Sequence, residues 1–302
     1  IGYILSPVLW DYVRPRLSAG RCQSPAVKLI KDRHDEIKDF MENQTKSSKF
    51  SLTGVFATKD KTSLVMSGSF VQSYPTEQDV TEFFKRCMVA KWTVGKTKVT
   101  KHKSNPPPPF ITSTLQQSAS SSLSIAPKLC MQIAQKLYEA GAITYMRTDS
   151  KTLSKDCMTA CEKYIKSNYG DTYYEKHEYK NKDNSQEAHE AIRPVHVDRP
   201  FLEDKWGNQY KRLYSLIWKR TVASQMSPKR TEKKTVDILP DENKEEKAVS
   251  VCQHTVFPGY TVVYGQDDAK KQKEEEYWGA MSKVKKGTLL VYKELAAKPT
   301  YL

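Results

Sequence analysis

No apolar run in this 302-residue sequence approaches the roughly 18 residues that a membrane-spanning helix needs, the longest being short stretches such as Thr288–Tyr292. No secretory signal opens the chain. The six cysteines (Cys22, Cys87, Cys130, Cys157, Cys161 and Cys252) are scattered, with no two three apart. That spacing excludes a zinc ribbon and gives no disulfide framework, so reduced thiols in an intracellular compartment are the default. Cys157 and Cys161 are one helical turn apart, which points to a buried helix face more than to a metal site. The zinc motif HExxH is missing too, because Arg193 stands where the second histidine would follow His189-Glu190. Low complexity is confined to Ser118–Ser122, and no internal repeat is found.

Acidic residues are the scarcer sign: 35 Asp and Glu against 49 Lys and Arg, a net charge of +14 spread along the whole chain. Such an excess suits either a solvated basic surface or a polyanion partner whose counterions are released on binding. Charge alone does not separate DNA from RNA or from an anionic membrane. With 38% hydrophobic and 28% charged residues the chain reads as soluble and globular. Its length suits about two domains, one of them split by an insertion. The chain starts at Ile1 and stops at Tyr301-Leu302, which reads as two cuts through a longer protein.

Gly20 to Asn43 reads as a turn and a helix, with Ser24 as N-cap and Pro25 at the first helical position. Strand-like patterning follows from Phe50 to Phe70, a short helix over Pro75–Val89, and a basic extended stretch from Trp92 to Lys103. Pro106–Pro109 reads as a stiff linker or hinge. Beyond it helices are expected from Pro127 to a Gly141 cap, from Ser154 to Asn168 with a stop at Gly170, and over Asn208–Met226. Strands return at Lys234–Leu239, Ala248–Val256, Tyr260–Tyr264 and Thr288–Tyr292. The fold class is α+β, a β-rich domain in two segments with a mainly helical domain inserted, Pro106–Pro109 and Pro228 being the crossing points.

Three stretches carry chemistry. In the first, Ala142 to Ser150, an extended backbone would point Tyr145, Arg147 and Asp149 the same way. A phenol with an ordinary pKa of about 10 is a poor nucleophile unless cations hold the phosphate that it attacks. Arg147 could grip that phosphate in fork geometry while Asp149 orients it. The bland alternative is a buried tyrosine beside a structural Arg–Asp pair, since the chain has 17 tyrosines. In the second, Glu187 to Pro194, His189 and Arg193 are four apart, so a helical turn would put both on one face toward a phosphate, with His189 able to move a proton. In the third, Leu17 to Pro25, a glycine turn feeds a helix N-terminus with Arg21 and Gln23 as donors, which is an anion site or an ordinary cap.

Together these stretches resemble the type IA DNA topoisomerases. Gly141–Ser150 matches the form G-x-I-T-Y-x-R-T-D-S, His189–Pro194 matches H-E-A-I-R-P, and Ser18–Ser24 matches S-A-G-R-x-Q-S. Pro107–Gln117, with Phe110, Thr112, Thr114, Leu115 and Gln117, is similar to the family's lead-in to its tyrosine domain. Met146 resembles the bacterial topoisomerase I branch, the topoisomerase III branch usually having Pro there. The resemblance implies that Tyr145 attacks a single-strand phosphodiester and stays linked to the 5′ phosphate. It also implies that Arg147 stabilises the charge, that His189 sits nearby, and that Arg21, Gln23, Ser24, Thr148, Asp149 and Arg193 hold the strand. No ATP is needed. Its architecture implies 1–45 in the helical DNA-binding domain (domain IV), 46–104 and 229–295 as two segments of a β-rich arch, and 105–228 as the inserted tyrosine domain. Residues 296–302 would begin the return to domain IV.

The sequence departs from the family at Cys22, where Val is usual, and Val195, where Thr is usual. The family's Mg²⁺ site comes from an acidic D-x-D-x-E pattern of an N-terminal Toprim domain, and no two Asp here are two apart. Mg²⁺ is therefore expected in an intact parent and no metal in this chain, which would bind single strands without completing a relaxation cycle. Expected partners are single-stranded and negatively supercoiled DNA, with no membrane and a monomeric chain, in cytoplasm and nucleoid or in an organelle or nucleus. The competing reading is a non-catalytic single-strand-binding module using charge and aromatic stacking. An unrelated phosphotransfer enzyme or nuclease is disfavoured by the lack of metal-ligand spacing.

Overall fold

A computed structural model describes residues 2–42, 48–59, 64–181, 189–241, 245–265 and 267–301. Glu187 and Ala188 of the second stretch lie outside the described residues. The chain forms two compact units, the first comprising 1–95, 237–250 and 286–302, the second 96–236 and 251–285. Six strands make one closed sheet in the order β1-β2-β5-β4-β3-β6: β1 (Ser48–Thr58), β2 (Val65–Tyr74), β3 (Trp92–Ser104), β4 (Lys229–Pro240), β5 (Ala248–Phe257) and β6 (Leu289–Tyr301). Closure comes from β1 pairing antiparallel with β6, from Ser48 opposite Tyr301 to Thr58 opposite Leu290. Residues 296–301 form the end of this paired strand.

In the first unit, β2 alternates exposed and buried positions through Val65–Phe70, which sends Met66 and Phe70 inward and Val65 outward. Helix α3 (Glu77–Val89) starts at Thr76, whose hydroxyl accepts from the Asp79 amide at 3.1 Å, and it buries Val80, Phe83 and Cys87. Phe83 meets Phe70 edge-on at 4.9 Å between centroids, and Phe56 meets Trp92 at 5.0 Å. This aromatic nest is the unit's core. Helix α1 (Gly2–Tyr12) and helix α2 (Gln23–Glu42) bury no residue. Helix α2 begins one residue before the Ser24 read as its cap. The Ser24 amide already donates to the Gly20 carbonyl at 3.1 Å in helical fashion, and its hydroxyl accepts from the Gly20 amide at 3.4 Å.

The second unit is built on four helices: α4 (Thr112–Leu123), α5 (Pro127–Glu139), α6 (Lys155–Tyr169) and α7 (Asn208–Ser224). Their apolar stripes (Leu115 and Ala119; Ile133 and Leu137; Cys157, Cys161 and Ile165; Leu213, Ile217 and Trp218) meet in one core. Cys157 and Cys161 do form a buried helix face. Helix α5 ends on Gly141 at φ +67°, and α6 starts on Ser154, which accepts from the Cys157 amide, and stops at Gly170 with φ +98°.

Three features of this unit depart from the sequence reading. The prolines 106–109, read as a stiff linker or hinge, are packed in place: Pro106 and Pro109 are buried, Pro106 O accepts from Tyr179 and Pro108 O from Arg220, whose guanidinium lies 4.2 Å above the Phe110 ring. Gly259–Tyr264 is a 3₁₀ turn where a strand was expected over Tyr260–Tyr264. Gly259 takes φ +52° so close to the end of α7 that a Cβ would lie 2.4 Å from Ser227 O, and the Tyr260 amide donates to that same oxygen at 2.8 Å. Helix α8 (Asp268–Lys283) has no counterpart in the sequence reading because it buries only Met281. Its polar surface carries pairs such as Gln272–Glu276, and Asp267 caps it by accepting from the Lys270 amide.

Candidate active site

The segment after Gly141 has no regular structure, yet it is tightly fixed. Its buried positions alternate with exposed ones: Met146, Thr148 and Ser150 point in, while Tyr145, Arg147 and Asp149 point out. The shared outward face expected of those last three is therefore present. Tyr145 is 38% exposed, and its flanking anchors Ile143 and Met146 are both 1% exposed. Thr112 clamps the loop from the first turn of α4. Its hydroxyl donates to Met146 O at 2.8 Å and accepts from the Thr148 amide at 3.0 Å, and its amide donates to Thr148 O at 3.0 Å.

The His189–Pro194 stretch is extended, not helical, which corrects the expected helical turn. Its backbone is consumed by pairing: Thr144 N donates to Arg193 O at 2.9 Å, Ile192 N to Phe110 O at 2.9 Å, and Ile143 bridges Pro194. Pro194 also disfavours helix at Arg193. The Thr144 hydroxyl donates to Ala191 O at 2.7 Å and accepts from the Arg193 amide at 3.0 Å. This cross-link lays the second stretch beside the first and sets the His189 ring 6.2 Å from the Tyr145 ring. The Tyr138 ring, from the last turn of α5, packs edge-on against Tyr145 at 5.2 Å.

The remaining expected site residues divide. Arg147 and Asp149 are exposed and have no ion-pair partner among the described residues, so Asp149 does not orient Arg147 by a salt bridge. Thr148 is 7% exposed, and its hydroxyl accepts from the Ser150 amide. The Arg193 side chain is 14% exposed and turned inward, donating to Glu190 at 2.6 Å, Pro194 O at 3.1 Å and Ser154 Oγ at 3.3 Å. Burial works against its charge, and the Glu190 hydrogen bond with the nearby thiols outweighs that and raises its pKa. Below it, a hydrogen bond from Cys161 holds the Cys157 thiol below its usual range, while the same contact and burial push Cys161 up. Arg21, Gln23 and Ser24 are exposed in the first unit.

Sequence reasoning on the chemistry passed over Thr112, Tyr138, Thr144 and Asn181. Asn181 accepts from the Lys151 amide at 2.8 Å and donates to Ser150 Oγ and Thr152 Oγ1, both at 3.1 Å, holding the far end of the tyrosine loop. Thr112 lies in a stretch already singled out; nothing local marks Tyr138 or Asn181.

The family model described as DNA topoisomerase matches residues 1–301. The prokaryotic-type DNA topoisomerase 1 of Acanthamoeba polyphaga mimivirus is 35% identical over 100% of this chain and 38% of its own length. DNA topoisomerase 1 of Buchnera aphidicola is 39% identical over 87% of the chain and 30% of its own. The full-length topoisomerase I structure from Thermotoga maritima superposes with a TM-score of 0.75 at 29% identity, covering 100% of this chain and 48% of that one. The chain thus spans about a third of the length of those curated relatives. Among the described residues no helix is long and apolar enough to cross a membrane. The match across both units, with the tyrosine segment clamped as described, shows that the chain belongs to the DNA topoisomerase family, in its type IA, prokaryotic topoisomerase 1 branch.

Proposed function

We propose that this chain carries the strand-cleaving machinery of a DNA topoisomerase, with Tyr145 as nucleophile. The observation that carries this reading is a half-exposed phenol on a loop fixed from both sides, with the His189 ring 6.2 Å away and the exposed Arg147 on the same outward face. Tyr145 Oη attacks the phosphorus of a single-strand phosphodiester, and the bond from phosphorus to the 3′ oxygen breaks. The phenol proton leaves, the 3′ oxygen takes up a proton, and Tyr145 stays esterified to the 5′ phosphate. A ring nitrogen of His189 carries the proton between those oxygens. Arg147 holds the non-bridging oxygens as charge builds on them. One ester replaces another, so the reverse attack rejoins the strand without ATP.

Thr148 and Arg193 are assigned to positioning, because their side chains already hold partners within the protein, Thr148 the Ser150 amide and Arg193 the Glu190 carboxylate, Pro194 O and Ser154 Oγ. Asp149 in the second unit and Arg21, Gln23 and Ser24 in the first are assigned to the strand itself. The substrates are single-stranded regions of negatively supercoiled DNA, acted on by a monomeric DNA-associated protein inside the cell. A Mg²⁺ requirement belongs to the intact parent. The residues of this chain do not fit that ion: no two Asp are two apart, and among the described residues no three His, Cys, Asp or Glu cluster suitably. No step above runs through it.

The test is covalent trapping on labelled single-stranded DNA, with and without a separately supplied Toprim fragment and Mg²⁺. A denaturation-resistant adduct that disappears in Tyr145→Phe is expected. Equal DNA binding by both proteins with no adduct under any condition would leave a binding module and sink the catalytic reading.

A further inference from the structure

A recess opens beside the tyrosine loop, within the same unit. It is a cavity of about 350 Å³ whose lining includes Gly141 and Ala142 on one side and His196, Arg199, Phe201 and Trp206 on the other. We propose that it takes one nucleobase of the strand held at Tyr145, stacked on Phe201 and Trp206, with Arg199 and His196 on the adjoining phosphate. This rests on the topoisomerase reading and deepens it.

The Phe201 ring is 80% exposed, an orientation that leaves its face open to a ligand and gives it no packing role. The Trp206 ring is half-buried against Tyr210 at 5.3 Å and so is held in place. His196 and Arg199 are exposed and have no ion pair among the described residues, whereas Glu203 at the rim is neutralised by Lys205 at 2.7 Å. An open aromatic face with basic side chains beside it is what a sequence-tolerant single-strand site requires. The recess borders the tyrosine loop: Ala142 in its lining precedes Tyr145 by three residues, a backbone span of at most about 10 Å. A strand esterified to Tyr145 continues away from its 5′ phosphate.

The experiment compares the chain with its Phe201→Ala and Phe201→Tyr variants, using a short fluorescein-labelled oligothymidylate and, separately, heparin, a polyanion without bases. Phe201→Ala is expected to weaken oligothymidylate binding about tenfold, with heparin affinity and thermal midpoint unchanged and with Phe201→Tyr restoring the loss. Affinity that is unchanged in Phe201→Ala, or a loss shared equally by heparin, would overturn the pocket. Run beside the trapping assay, the two failures separate. A normal Tyr145 adduct with unchanged Phe201→Ala affinity removes the pocket alone. A Phe201-dependent affinity without any adduct removes the cleavage reading and leaves the base site.

Discussion

The hydroxyl of Thr112 donates to the carbonyl of Met146 at 2.8 Å, so a residue at the start of α4 fixes the position next to the nucleophile. The same oxygen accepts from the Thr148 amide at 3.0 Å, and one side chain thereby spans both sides of Arg147. Thr112→Ala leaves that amide and carbonyl without partners inside the fold. It should cost about 1–3 kcal/mol in urea unfolding and lower the yield of Tyr145 adduct. Thr112→Ser, which keeps the hydroxyl, should recover most of both; failure to do so would mean that the methyl group's packing matters more than the clamp.

Arg193 holds Glu190, Pro194 O and Ser154 Oγ from an inward position. A lysine has a point charge on a flexible stem and cannot meet all three. Arg193→Lys should therefore lose stability, by roughly 1–3 kcal/mol. In single-strand binding it should change less than Arg147→Lys. The opposite order would return Arg193 to the strand-contacting role that the sequence motif implied.

Two phenols shielded from water, Tyr214 buried and Tyr179 half-buried, set an alkaline limit. Burial pushes Tyr179 and Tyr214 up to about 12, and each donates to a carbonyl, Tyr179 to Ser224 O at 3.0 Å and Tyr214 to Arg199 O at 2.7 Å. A raised folded-state pKa gives stability that is fully present below the unfolded value near 10 and is lost as pH rises through about 12. Denaturant midpoints should hold steady up to about pH 9 and fall steeply above about pH 10. Tyr179→Phe should flatten that fall, and an unchanged slope would assign it to other groups.

Of the six cysteines only Cys22 is exposed. Cys87 has its thiol pushed up to about 12, by burial first and by the Glu246 charge next, and Cys130 to about 11 by burial. A thiol reagent at mild pH should therefore label one cysteine in the folded chain and six after denaturation. Rapid native labelling at Cys157 would show that helix α6 opens easily.

Helices α5, α6 and α7 were legible because each combines 3.6-residue apolar spacing with local punctuation, Pro127 and Gly141 for α5, Ser154 and Gly170 for α6, and Pro228 after α7. The outward face of Tyr145, Arg147 and Asp149 was legible from the period-two geometry of an extended chain alone. These are properties of neighbours in sequence. What only the tertiary structure decided involves partners far apart. Ser48 pairs with Tyr301 to close the sheet, Thr144 ties to Arg193 and so forbids the expected helical turn, and Asn181 braces a loop 30 residues away. The four prolines belong here too: local sterics made them stiff, but Tyr179 and Arg220, distant in sequence, hold the carbonyls of Pro106 and Pro108, and Pro106 and Pro109 are buried. Propensity and pattern act over a few residues, while a backbone amide takes whichever carbonyl the folded chain brings to it, and that choice is made by packing.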